Sequence, residues 1–123
     1  MEMPDDLTEA EKYLIAQVAK GEFANYSSGN AERDKPANAA EWGPVRTIRA
    51  ATIRWLCLGD GKDTPIDPKG IQITGARICE PLNLDWIAIP FPLVFLNCHF
   101  VCTINLQRAD VRSLCLNGSS LAD

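Results

Sequence analysis

The chain has 123 residues, 46% hydrophobic and 23% charged, which is enough apolar material for one domain with a real core and no need of disulfide or metal staples. Its net charge of −4 argues against a general nucleic-acid binder, which needs a basic face to meet phosphates. Five cysteines, Cys57, Cys79, Cys98, Cys102 and Cys115, form no C-x-x-C pair, a usage that fits reduced thiols and a cytoplasmic location better than a disulfide framework.

The segment "LTEAEKYLIAQVAK" (7–20) opens the ordered pattern. Thr8 is followed three residues later by Glu11, a capping-box signature; Ala10, Tyr13, Leu14 and Val18 then recur at helical spacing, and Gly21 closes the run. A short amphipathic helix is expected. Residues 22–43 are polar and rich in Ser, Gly, Asn and Ala, with the mixed-charge run "AERDKP", and read as a long connection with little regular structure, anchored at its end by Trp42. In "GPVRTIRAATIRWLCLGDG", Pro44 sits where a first helical residue tolerates it, and Val45, Ile48, Thr52, Trp55 and Leu56 fall on one stripe, so a second helix is expected over 45–58. The stretch 59–70 is Gly, Pro and Asp in loop proportions.

From Ile71 the helical pattern gives way to a period of five with occasional sixes. The apolar centres are Ile73, Ile78, Leu84, Ile89, Phe95, Phe100, Leu106, Val111, Leu116 and Leu121. Neither a helix, which groups residues three and four apart, nor a flat strand, which groups residues two apart, sustains that spacing. Two residues before each centre stands an apolar or small residue: Ile71, Ala76, Leu82, Ile87, Leu93, Cys98, Ile104, Ala109, Leu114 and Ser119. The residues between are mostly outward in character, Val94 being the clear exception, so two inward positions flank one outward position as β geometry requires. A longer period lies above the short one: "ITGARI" (73–78) recurs as "FLNCHF" (95–100) after 22 residues, and again as "LNGSSL" (116–121) after 21 more. Four short sides make one coil, with Ala76, Cys98 and Ser119 in one stack and Ile78, Phe100 and Leu121 in another, building a core that no single coil could bury.

Tandem units such as Ala109-Asp110-Val111 resemble the pentapeptide-repeat proteins, in a degenerate form, over about residues 71–123. The resemblance implies a mainly β fold: a short right-handed quadrilateral β-helix (70–123) behind an N-terminal two-helix cap (1–69). "EWGPVRTIRAATIRWL", "IDPKGIQITGARI" and "IPFPLVFLNCHF" also look like the opening of bacterial proteins of this kind often labelled "membrane-associated oxidoreductase". Some pentapeptide-repeat proteins mimic DNA and bind topoisomerases, which implies a long acidic rod. Here Glu80, Asp85, Asp110 and Asp123 stand against Arg77, Arg108 and Arg112, a balance of only −1.

No chemistry is expected of the chain itself. It lacks the G-x-G-x-x-G fingerprint, so no nucleotide cofactor is implied, and "GDGKD" (59–63) lacks the spacing of a phosphate loop. Asp60, Asp63 and Asp67 lack the order and the glutamate of a calcium loop. "CHFVC" (98–102) is the most metal-like cluster, but the register turns Cys98 inward and His99 outward, and no second pair completes a tetrahedral site. Cys102 beside His99 is the sole thiol–base pairing. Arg46, Arg49 and Arg54 on the second helix offer either a contact for an acidic partner or headgroups, or an ordinary solvated face.

The longest apolar run, 86–96, is too short to span a bilayer and is broken by Pro90 and Pro92, while the acidic start "MEMPDDLTEAE" lacks the basic region of a signal peptide. Membrane contact is expected only through a longer chain. Because the pattern is still running at "SSLAD", the last coil is expected to meet another copy, a protein partner or further coils. The expected function is a non-catalytic repeat scaffold that binds protein, or that associates with itself through the C-terminal coil.

Overall fold

The computed structural model describes residues 7–29, 42–58 and 66–121, with backbone alone at Pro44, Ser120 and Leu121. The "GDGKD" loop, the "AERDKP" run, the acidic start and the side chain of Leu121 lie outside the described residues.

The first helix, α1 (Glu9–Lys20), begins as its sequence dictates. The Thr8 backbone N–H donates to Glu11 Oε1 at 3.0 Å and the Glu11 N–H donates to Thr8 Oγ1 at 3.1 Å, which satisfies two of the amides a helix start leaves open. Gly21 closes the helix in a left-handed conformation, φ 73°. Ala10, Leu14 and Val18 are buried, whereas Tyr13, expected on the same face, is 39% exposed.

Two departures follow. The expected connection over 22–43 contains a strand, β1 (Ala24–Asn25), which pairs in parallel with residues Ile73 and Thr74. The expected helix over 45–58 is helical only in its second half. Pro44–Arg46 form one turn of 3-10 helix, Thr47–Arg49 form strand β2, and only Ala50–Leu58 make α2. Ladder bonds to residues Arg77–Cys79 override the weak helical spacing there. Ile48, Thr52, Trp55 and Leu56 are buried as the stripe suggests, but Val45 is 72% exposed.

The remaining strands are short: β3 (Ile71–Thr74), β4 (Arg77–Cys79), β5 (Leu82–Asn83), β6 (Ala88–Leu96), β7 (His99–Phe100), β8 (Ile104–Asn105), β9 (Asp110–Cys115) and β10 (Ser120–Leu121). They form sheets ordered β1-β3-β6-β9, β10-β7-β4-β2 and β5-β8, and the described pairs are all parallel. No sheet closes on itself, and helix and strand both contribute, so the fold is mixed α/β with an array of short parallel strands. The division expected at residue 69 is crossed by two of the sheets, since β1 pairs with β3 and β2 with β4, and one apolar core contains residues from both sides.

Register accounts for both sequence periods. Ile71 faces Leu93, Ile78 faces Phe100, Leu82 faces Ile104 and Ala88 faces Asp110, each pair 22 residues apart. A bulge between Ile89 and Pro92 then shifts the offset to 21, so that Leu93 faces Leu114. That bulge absorbs the difference between the six-residue step from Ile89 to Phe95 and the five-residue step from Val111 to Leu116.

Ile73, Ala76, Ile78, Leu84, Ile89, Phe95, Cys98 and Phe100 are buried, and the Phe95 and Phe100 rings meet edge to face at 5.1 Å. Leu106, Val111 and Leu116 are partly buried against this core, Ala109 and Ser119 are of intermediate exposure, and Leu114, expected inward, is 37% exposed.

Candidate functional site

The arginines Arg46, Arg49 and Arg54 do not share a helix face. Arg46 lies in the 3-10 turn and Arg49 in β2; only Arg54 is on α2. Arg46 is buried, donates from Nε and Nη2 to the Gly75 carbonyl at 2.9 and 2.7 Å, and lays its guanidinium 3.9 Å from the centre of the Trp42 ring. Trp42 is itself buried, so it anchors the chain through this stack. Arg49 is taken up by Glu11, from strand to helix. Arg54 reaches the Asn83 carbonyl at 3.5 Å from an exposed position. Two of the three are therefore committed to the interior and present no common surface.

Glu11 is the most highly bonded side chain in this region. Burial raises its proton affinity, but hydrogen bonds from the Arg49 side chain, the Thr8 backbone, the Thr52 hydroxyl and the Arg49 backbone outweigh burial and lower its pKa to about 2. Sequence reading found the capping role of Glu11; the pairing with Arg49 carries no local signal.

The thiols are quiescent. Burial pushes the Cys57 thiol up to about 12 and that of Cys98 up to about 11, and burial also raises Cys79. Cys98 Sγ lies 3.5 Å from the Leu96 carbonyl oxygen and 3.7 Å from that of Ile73, inside the core, while His99 is half-exposed on the opposite side of the strand. Among the described residues no group of three His, Cys, Asp or Glu side chains could hold a metal ion. A cleft of about 400 Å³ between α1 and the 25–28 and 45–46 stretches is lined by Tyr13, Tyr26 and Arg46. Its principal polar groups are spent internally: the Tyr26 hydroxyl donates to the Ala10 carbonyl at 2.6 Å, and Arg46 is held by Gly75.

The corner between β5 and β6 is different. Trp86 is 68% exposed yet sits in the left-handed region at φ 66°, where a bulky side chain is unfavourable. Arg108, which is 22 residues later and at φ 55°, holds its guanidinium 5.1 Å from the Trp86 ring centre. The corner is tied from below: the Trp86 N–H donates to the Gln107 carbonyl at 2.9 Å, and Asp85 Oδ1 accepts the Gln107 N–H at 2.6 Å. A second cleft of about 260 Å³, lined by Ala88, Ile89, Pro90, Asp110 and Arg112, continues along the same two strands. An exposed indole on a strained backbone breaks two local preferences with no gain in burial, which is the pattern of a position kept for contact rather than for folding. The sequence did carry a signal for it, since the 22-residue period sets Trp86 over Arg108. No family model, curated protein or solved structure matches this chain.

Proposed function

We propose that the chain is a short right-handed β-helix of the pentapeptide-repeat kind, capped by α1 and α2, and that it works as a non-catalytic scaffold binding a protein partner through the Trp86–Arg108 corner. The coil reading is supported by parallel pairing at a repeated offset of 22 residues in all three sheets. The binding role rests on one observation: the strained, exposed Trp86 with Arg108 stacked on it. Arginine and tryptophan at one projecting corner are the residue types that dominate protein contacts once desolvated. The internal commitment of Glu11, Arg46, Arg49 and Tyr26 favours a structural role for the polar groups over a catalytic one.

Among the described residues no helix is long and apolar enough to cross a membrane. Protonated, unpaired thiols suit the reducing environment of the cytoplasm.

The test is capture from lysate of the source cells on immobilised protein, comparing the native chain with Trp86→Ser/Arg108→Ser. The expected result is a discrete partner retained by the native chain and lost with the double variant, the two baits having matching melting curves. Equal retention by both baits, or nothing retained by either, removes this reading.

A further inference from the structure

The two ends of the strand array are unlike. On one side α1 packs against β1, β2 and β3, and α2 against β2 and β5. On the other side β8, β9 and β10 each end their sheet with a single strand neighbour. Burial follows the same gradient: Ile73 and Ile78 are fully buried, whereas Leu106, Val111 and Leu116 are only partly so. An unpaired apolar edge of this sort is a template for another strand.

The residues of β9 fit a copy of themselves. The Asp110 N–H donates to the Ile87 carbonyl at 2.9 Å, so the backbone polar groups of Asp110 face β6, and strand alternation turns those of Val111 to the open side. If a second β9 runs antiparallel to the first about a two-fold axis at Val111, the two Val111 residues exchange a pair of N–H···O bonds. Residues equally distant on either side of Val111 then oppose each other. Asp110 meets the partner's Arg112 and Arg112 meets the partner's Asp110, all exposed and on the outer face. Five residues to either side, Leu106 and the partner's Leu116 come to corresponding sides of the two abutting coils, which closes the half-covered end of each core. One symmetry operation thus satisfies the edge bonds, the charges and the apolar end together.

We infer that the chain associates with a second copy of itself through β9, antiparallel about Val111, with reciprocal Asp110–Arg112 pairs. This rests on the coil reading proposed above. A parallel strand from another coil would cover the edge equally well but would not require the charges to be reciprocal.

The test is solution mass by light scattering over a tenfold dilution for the native chain, for Asp110→Arg and Arg112→Asp alone, and for an equimolar mixture of these two variants. The native chain is expected at twice its 13.5 kDa mass. Each single variant sets like charges opposite one another in the dimer and is expected to dissociate at concentrations at least about tenfold higher than the native chain does. The mixture restores opposite charges at both contacts and is expected to recover the dimer, which a merely structural role for either residue would not produce. A monomeric native chain, or a mixture no more associated than its components, overturns the inference. Far-UV circular dichroism separates the causes: a native strand spectrum with a monomer mass removes only this pairing, whereas a chain without strand signal removes the coil reading beneath it.

Discussion

Glu11 on α1 and Arg49 at the end of β2, 38 residues apart, meet at two points: Nη2 is 2.8 Å from Oε1 and Nε is 2.9 Å from Oε2. The Arg49 backbone N–H and the Thr52 hydroxyl also donate to Oε2, at 3.1 and 2.7 Å. The carboxylate is fully buried and the arginine side chain 31% exposed. One acid therefore caps the helix and fastens it to the sheet through which the chain continues.

Loss of that carboxylate is costly, because it leaves Arg49, the Thr52 hydroxyl and a helix-start amide without their acceptor. Glu11→Ala is expected to lower unfolding stability by about 3–5 kcal/mol, the range for breaking a buried ion pair from one side. Urea titration followed by circular dichroism measures it; a loss below about 1 kcal/mol would mean that the contact is nearly neutral.

The same group sets an acid limit. Its folded pKa of about 2 lies below the usual 4.5, so the folded state binds its proton more weakly than the unfolded chain does. The stabilisation is complete above about pH 4.5 and is lost as pH falls toward 2, amounting to about 3 kcal/mol over that window. Other carboxylates titrate there too, so the readout is the difference between native and Glu11→Gln chains, which is expected to shrink as pH drops from 5 to 2. A difference independent of pH would show that Glu11 is not the titrating group.

Gly70 tests the packing of β6 against the turn before β3. At φ 81° it presses on the backbone of Pro92, and an added Cβ would overlap the Pro92 carbonyl. Gly29, at φ 88°, has nothing within 4 Å of the same position. Gly70→Ala is expected to cost about 2–4 kcal/mol, backbone strain plus the clash, while Gly29→Ala costs the strain alone, about 1 kcal/mol. Equal losses for the two would place Gly70 away from Pro92.

How much of this was legible follows from the range of each interaction. The register of 71–121 was readable because two inward residues per short side leave a period that survives substitution: Ile78 and Phe100 differ in shape yet hold the same place and face each other in the ladder. The stretch Val45–Arg49 misled because three residues of strand carry no periodicity of their own, and the ladder to β4 decides their conformation. β1, two residues long, is set wholly by its pairing with β3. Arg46 and Arg49 looked like surface groups because their acceptors, the Gly75 carbonyl and Glu11, are 29 and 38 residues distant. Trp86 went unmarked although the long period sets it over Arg108, since an apolar residue in an apolar run gives no sign that its backbone has turned left-handed.

Thiol accessibility offers a check on the core. Cys57 and Cys98 are buried with thiols pushed up to about 12 and 11, so each is sterically covered and holds little thiolate at neutral pH. In a maleimide time course read by peptide mass, both are expected to react only on the timescale of unfolding and to become fast in denaturant. Early labelling of Cys98 in native buffer would contradict its place between Ala76 and Ser119.

Trp86 distinguishes a folding residue from a contact residue by the sign of one stability change. In the left-handed region a non-glycine side chain costs about 1–2 kcal/mol, and at 68% exposure the indole recovers little of that by burial. The stack with Arg108, open to solvent at 5.1 Å, returns about 0.5–1 kcal/mol. Glycine would relieve the strain but enlarge the entropy of the unfolded chain by a comparable amount, whereas asparagine tolerates this conformation without that penalty. Trp86→Asn is therefore expected to keep native stability or to raise it by up to about 1 kcal/mol in urea unfolding, while abolishing capture of the partner. A loss of more than about 1 kcal/mol would make the indole part of the packing and remove the reason for assigning it to recognition.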